Sequence, residues 1–141
     1  MSNTRTMLAT LALGATFAFA GPAFADKMKA TLDGKSEVPA NTSAGKGSAD
    51  IDYDAASKKL SWKVTYSGLS GPATAAHFHG PAEPGKNAGV MVPITGATSS
   101  PAEGSATLTD AQAADLAAGK YYVNIHTAAN PGGEIRGQVT K

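Results

Sequence analysis

The feature that most restricts this chain is its punctuation. Short runs of alternating apolar and polar residues are cut at close intervals by clusters of Gly, Pro, Ser and Asn. The clearest run is 60–66, where Leu60, Trp62, Val64 and Tyr66 alternate with Ser61, Lys63 and Thr65. A period of two puts the first set on one face of a strand and the second on the other. The cluster SGLSGP follows at once and turns the chain. Similar runs are read at 27–32, 47–53, 74–79, 90–94, 106–108, 120–127 and 134–139, and the run at 90–94 ends at a Pro suited to a sheet edge. One helix is expected, with Thr109 as N-cap, Gln112 completing a capping box, and Gly119 ending it. So many short strands with one short helix predict an all-β, antiparallel sandwich or small barrel.

The first 25 residues do not belong to this pattern. Arg5 precedes an apolar stretch over 7–20, and Ala23-Phe24-Ala25 is the small-x-small signature of signal-peptide cleavage. Residues 1–25 are therefore expected to be a secretory signal peptide, and 26–141 a single exported domain, periplasmic or secreted. The apolar stretch is too short for a membrane span, and none follows it. Charge is nearly balanced, with 12 Lys+Arg against 11 Asp+Glu, which gives no basic patch for nucleic acid. Cysteine is absent, which excludes disulfides and thiol chemistry. No Gly-rich phosphate loop, nucleophile elbow or paired carboxylates stand out.

Two of the three histidines lie in AAHFHGPAE, one residue apart. On a strand His77 and His79 share a face, with Phe78 turned to the core. In YYVNIHT the apolar set is Tyr121, Val123 and Ile125, so Tyr122, Asn124 and His126 take the other face. In GEIRGQV, Ile135 faces the core while Glu134, Arg136 and Gln138 face away. The three histidines and the arginine thus fall on non-core sides. They read either as solvated surface residues or as a metal site, in which a third histidine joins a His-x-His pair from a neighbouring strand. Arg136 reads either as half of a surface ion pair with Glu134 or Asp115, or as an anion guide beside a metal. Glu83 and Glu134 are expected to be loop and surface charges, although either could act as a ligand or accept a histidine N–H. Met91 is expected to pack in the core.

The stretches LDGKSEVPA, AAHFHGPAEPGKNAGVMVPI and GKYYVNIHTAANPGGEIRGQV resemble the CHRD (chordin) domain family. The likeness runs over about residues 28–140 and is most specific in the last stretch, through Tyr122, Asn124, His126, Thr127, Asn130, Pro131, Gly132, Gly133, Glu134, Arg136 and Gly137. It implies an immunoglobulin-like, Greek-key β-sandwich or barrel. It leaves the biochemical role open, including that of a non-catalytic extracellular binding or adhesion module.

HFHG, VNIHT and NPGGEIRG are also similar, in order and kind, to the copper site of copper/zinc superoxide dismutases. That similarity implies copper ligands at His77, His79 and His126, and guidance of superoxide by Arg136. The zinc loop, the bridging histidine and the disulfide of those enzymes have no counterpart here. What remains is a copper-only, three-histidine site open to a small anion, with zinc as the alternative metal.

Overall fold

The computed structural model describes residues 24–141, so the expected signal peptide at 1–25 lies almost wholly outside the described residues. The strands are β1 (Asp26–Asp33), β2 (Lys46–Asp54), β3 (Lys59–Ser67), β4 (Ala73–His79), β5 (Val90–Pro93), β6 (Ala102–Thr107), β7 (Tyr122–Thr127) and β8 (Ile135–Gln138), with α1 (Asp110–Ala117) between β6 and β7. All eight pair antiparallel in one sheet, ordered β5-β4-β7-β8-β1-β2-β3-β6, that curls into a nearly closed barrel or sandwich. The all-β class and the single short helix are as the sequence pattern requires. Among the described residues no helix is long and apolar enough to cross a membrane.

Alternation builds the interior. Leu60, Trp62 and Val64 of β3, Ile51 of β2, Leu32 of β1, Phe78 of β4, Val123 and Ile125 of β7 and Ile135 of β8 all point inward and are buried. Trp62 meets Phe78 edge to face, with ring centroids 5.3 Å apart. The helix forms as its capping box predicts: Thr109 Oγ1 accepts from Gln112 N–H, and Gln112 Oε1 accepts from Thr109 N–H. β5 is an edge strand, as its Pro suggested.

The other edge, β6, starts four residues earlier than its apolar pattern indicated. Its added residues, including Glu103, Gly104 and Ser105, alternate poorly because the strand packs by being thin. A Cβ on Gly104 would lie 2.9 Å from the Trp62 ring, so glycine lets the edge close over the indole.

The barrel wall is not alike all round. The outer faces of β2 and β3 carry Asp, Lys, Ser and Thr and are largely exposed, whereas β7 is buried on both faces at Tyr122, Val123, Asn124 and Ile125. Two loops cover that outer side. Residues 34–45 and 80–89 lie over β7 and β8 and are tied together where Asn87 Nδ2 donates to Val38 O at 3.1 Å. This second, polar layer outside the apolar core positions the site.

Candidate metal centre

β4 and β7 are neighbours in the sheet although three elements, β5, β6 and α1, separate them in the chain. The register sets His77 opposite Asn124, His79 opposite Tyr122, and His126 opposite Ala75. The three histidines therefore rise from one patch of the outer face. Their ring centroids are 4.9 Å apart for His77–His126, 5.5 Å for His77–His79 and 6.2 Å for His79–His126. One ring nitrogen from each lies within 4.8 Å of the other two. Donors on one ion with bonds of about 2.0–2.1 Å stand roughly 3–3.4 Å apart, so a small contraction seats all three.

The hydrogen bonds set which nitrogens are free. His79 Nδ1 lies 2.9 Å from Ala88 O, and His126 Nδ1 lies 2.9 Å from Pro131 O. A carbonyl only accepts, so both Nδ1 atoms carry the hydrogen and both Nε2 atoms keep a lone pair. This is the arrangement found behind metal-bound histidines, where a backbone acceptor fixes tautomer and ring direction. His126 Nε2 faces His77 Nδ1 at 3.0 Å. His79 Nε2 is buried and, with the ring neutral, has no hydrogen-bond donor facing it. An orphan acceptor of this kind costs on the order of 1–3 kcal/mol, and a cation removes that cost. Burial lowers the pKa of His77, aided by repulsion from His126 and His79, and burial likewise lowers that of His79 against the pull of the Ala88 carbonyl. Both rings are thus held neutral, the form that binds metal.

Behind His79 stands a buttress. The Tyr122 ring stacks parallel to the imidazole, with centroids 4.9 Å apart and 1° between planes. Its hydroxyl donates to Ala88 O and accepts from Ala88 N–H, both at 3.1 Å. On the β8 side Arg136 lays its guanidinium carbon 3.4 Å from the Tyr122 centroid. Arg136 also donates to Asn87 Oδ1 at 2.9 Å and to the Lys86 carbonyl, pinning the loop that supplies the Ala88 carbonyl.

His77, His79 and His126 come together. Arg136 stands beyond Tyr122 rather than against the imidazoles and is only 2% exposed, so it is neither a surface residue nor paired with Glu134 or Asp115. Its positive charge still reaches His79. Glu83 is a surface charge, 3.9 Å from Lys120, and Met91 packs against the core, both as expected.

Glu134 overturns its expectation as a surface charge, because it is 0% exposed. Its carboxylate accepts from Ser43 Oγ, Ser70 N–H, Ser70 Oγ, Thr127 Oγ1 and Asn130 Nδ2. Burial pushes its pKa up, but the bonds from Ser70, Thr127 and Ser43 outweigh this and hold it at about 2. This anchor shapes the 127–134 turn that carries Pro131 O to His126.

Two residues of the layer had no role in the sequence reading. Asn124 lies between His77 on β4 and Arg136 on β8 in the register, with its Oδ1 buried and unpartnered. Glu37, in the 34–45 loop, is buried beside it, and burial drives its pKa to about 7 against the opposing pull of Arg136. The signal available for Asn124 was its parity with Tyr122 and His126. For Glu37, set in a loop without alternation, the signal was only its place in LDGKSEVPA, one of the stretches that resemble the CHRD domain.

A sequence model of the CHRD domain matches residues 28–139. The chain belongs to the CHRD family. The match takes in β1 from Met28 and the other seven strands in full, so the histidine trio and its covering loops are part of the CHRD domain itself rather than an addition to it. No curated protein and no solved structure matches this CHRD chain.

Proposed function

We propose that the chain is an exported copper-binding CHRD protein whose three-histidine centre dismutes superoxide. The observation that carries the reading is the convergence of His77, His79 and His126, with the tautomers of His79 and His126 set by carbonyls and the His79 Nε2 lone pair left without a partner. Imidazole donors suit both oxidation states of copper, and at a nitrogen site Cu(II) binds ahead of Zn(II). Zinc is the alternative occupant.

Copper, when bound, supplies one-electron exchange, so that one superoxide leaves as O2 and a second, with two protons, as peroxide. The protein's own part is positional. His77 and His126 are half-buried and leave one side of the cluster open to a small anion. Tyr122 and the Ala88 carbonyl hold His79 rigid, and the buried Arg136 adds fixed positive charge near the centre, which favours approach of an anion. The likeness of HFHG, VNIHT and NPGGEIRG to the copper/zinc dismutases supports the same reading, and the cleavage signature at Ala23–Ala25 supports export.

Metal-free protein titrated with Cu(II), followed by EPR, tests the site. One equivalent is expected to bind with nitrogen hyperfine structure, and binding is expected to collapse in His77→Ala and in His126→Ala. Unchanged binding in both variants rejects the shared centre and leaves the binding-module reading. Copper-loaded protein that removes superoxide no faster than its buffer rejects the enzymatic half alone.

A further inference from the structure

The three nitrogens are not the only lone pairs aimed into this patch. Asn124 lies in the middle of β7, directly across from His77 and two residues before His126, so its side chain is on the same face as the three rings, within reach of His79. It is 3% exposed. The direction of its carboxamide is fixed from behind. The Nδ2 side faces the Gly132 carbonyl at 3.5 Å and the Glu37 carboxyl, both of which accept. The turn presses closely on that edge: a Cβ on Gly133 would lie 2.7 Å from Asn124 Nδ2 and 2.3 Å from Glu37 Oε1. Gly133 has φ +126, so glycine is needed there for both space and backbone.

With the amide hydrogens turned toward Gly132 and Glu37, Oδ1 is left on the histidine side. Oδ1 is buried and receives no hydrogen bond, and neither does His79 Nε2 while that ring is neutral; the two side chains are within reach of each other, since Asn124 would accept a hydrogen bond from a protonated His79. Because His79 has already committed its only N–H to Ala88, the two atoms are both acceptors. Two adjacent buried acceptors with no donor between them are the arrangement a cation resolves.

We propose that Asn124 Oδ1 is the fourth protein donor of the histidine centre. The inference rests on the copper reading above and refines it to an N3O donor set. That set is neutral, so the bound ion keeps its full charge to attract an anion. A nitrogen and oxygen donor set of this kind would suit Cu(II). Glu37 and Gly132 act as positioning groups, holding the carboxamide oxygen forward. The competing account is a single water donating to both His79 Nε2 and Asn124 Oδ1, with the asparagine taking no part in metal binding.

The test is Cu(II) alone, added to metal-free protein at pH 8, with affinity from chelator competition and geometry from EPR. The Asn124→Leu variant, close in shape but without the oxygen, is expected to bind on the order of 10–100-fold more weakly, with a changed parallel hyperfine splitting. The Asn124→Asp variant keeps an oxygen and adds charge, and is expected to bind at least as tightly as the original chain. Unaltered protein grown with asparagine labelled at 13Cγ is expected to show a 13C coupling to copper that Asn124→Asp made under the same labelling lacks. This readout needs no substituted protein to hold the site. Wild-type affinity and spectrum in Asn124→Leu, or no 13C coupling in the labelled protein, overturns the fourth donor. Failure of the unaltered chain to bind Cu(II) overturns the copper reading beneath it.

Discussion

Two buried polar clusters share the covered side of the barrel, one on each side of the 127–134 turn, and they are built in opposite ways. Around Glu134 the donors match the acceptor: five protein hydrogens converge on one carboxylate, which needs nothing further. Around His77, His79 and His126 the acceptors outnumber the donors, and His79 Nε2 and Asn124 Oδ1 are left bare. Both clusters lie in the same low-dielectric layer, where an unpaired group is costly. A complete network there reads as architecture. An incomplete one, held rigid by carbonyls and a stacked tyrosine, is what the metal proposal rests on.

Breaking the complete cluster is expected to have the largest effect. Glu134→Gln turns one acceptor oxygen into an amide donor facing Ser, Thr and Asn donors, and is expected to cost on the order of 3 kcal/mol in urea unfolding. A loss below about 1 kcal/mol would show that the network does not anchor the turn.

Next in size is the pH dependence. Glu134 is held at about 2 against an ordinary 4.5, so its stabilisation is present above pH 4.5 and is lost as pH falls toward 2. Glu37 has the opposite sign. Raised to about 7, it favours the fold fully below pH 4.5, and that contribution is lost as pH rises through 7. Unfolding midpoints between pH 4 and 8 should therefore respond to Glu37→Gln with a shallower alkaline fall, by on the order of 2 kcal/mol across that window. An identical profile in Glu37→Gln removes Glu37 from the buried layer's electrostatics.

The smallest effect sharpens the contrast. His77→Phe in metal-free protein is expected to change stability by no more than about 1 kcal/mol, since it removes only the His77–His126 hydrogen bond and a ring still fills the space. The same variant should lose the copper-induced rise in melting temperature, which in the original chain corresponds to about 2.7 kcal/mol at a ligand excess of 100 Kd. A large loss without copper would make the trio structural, like Glu134.

How far the sequence revealed this depends on which side of a strand is considered. Alternation gave Leu60, Trp62, Val64, Phe78 and Ile135 to the interior, and the capping box gave α1 its start. Parity also put the three histidines on one side, because side-chain direction is local information. Parity cannot say whether that side is covered. Glu134 and Arg136 read as surface charges because the cover comes from loops near 34–45 and 80–89, remote in the chain. A trace of that cover was nonetheless present. The outer faces of β2 and β3 carry lysines and aspartates, while that of β7 carries Tyr122, Asn124 and His126 with no charged carboxylate or ammonium. A strand without charges on either face is one that packs on both. The adjacency of β4 and β7 was illegible, since no short-range pattern selects a partner across three intervening elements.

That adjacency has a consequence for how the protein comes into being. His77 and His126 touch across 49 positions of chain, and the strands that carry them can pair only after the intervening segments have found their places. Contacts of such long separation form late in folding, after the closure of large loops. A chain that has made only its early hairpins holds the His77–His79 pair without its third arm. On the proposed metal reading, tight capture would then be confined to molecules that have completed the barrel, and the ion would act as a lock on the finished fold rather than as a template for it.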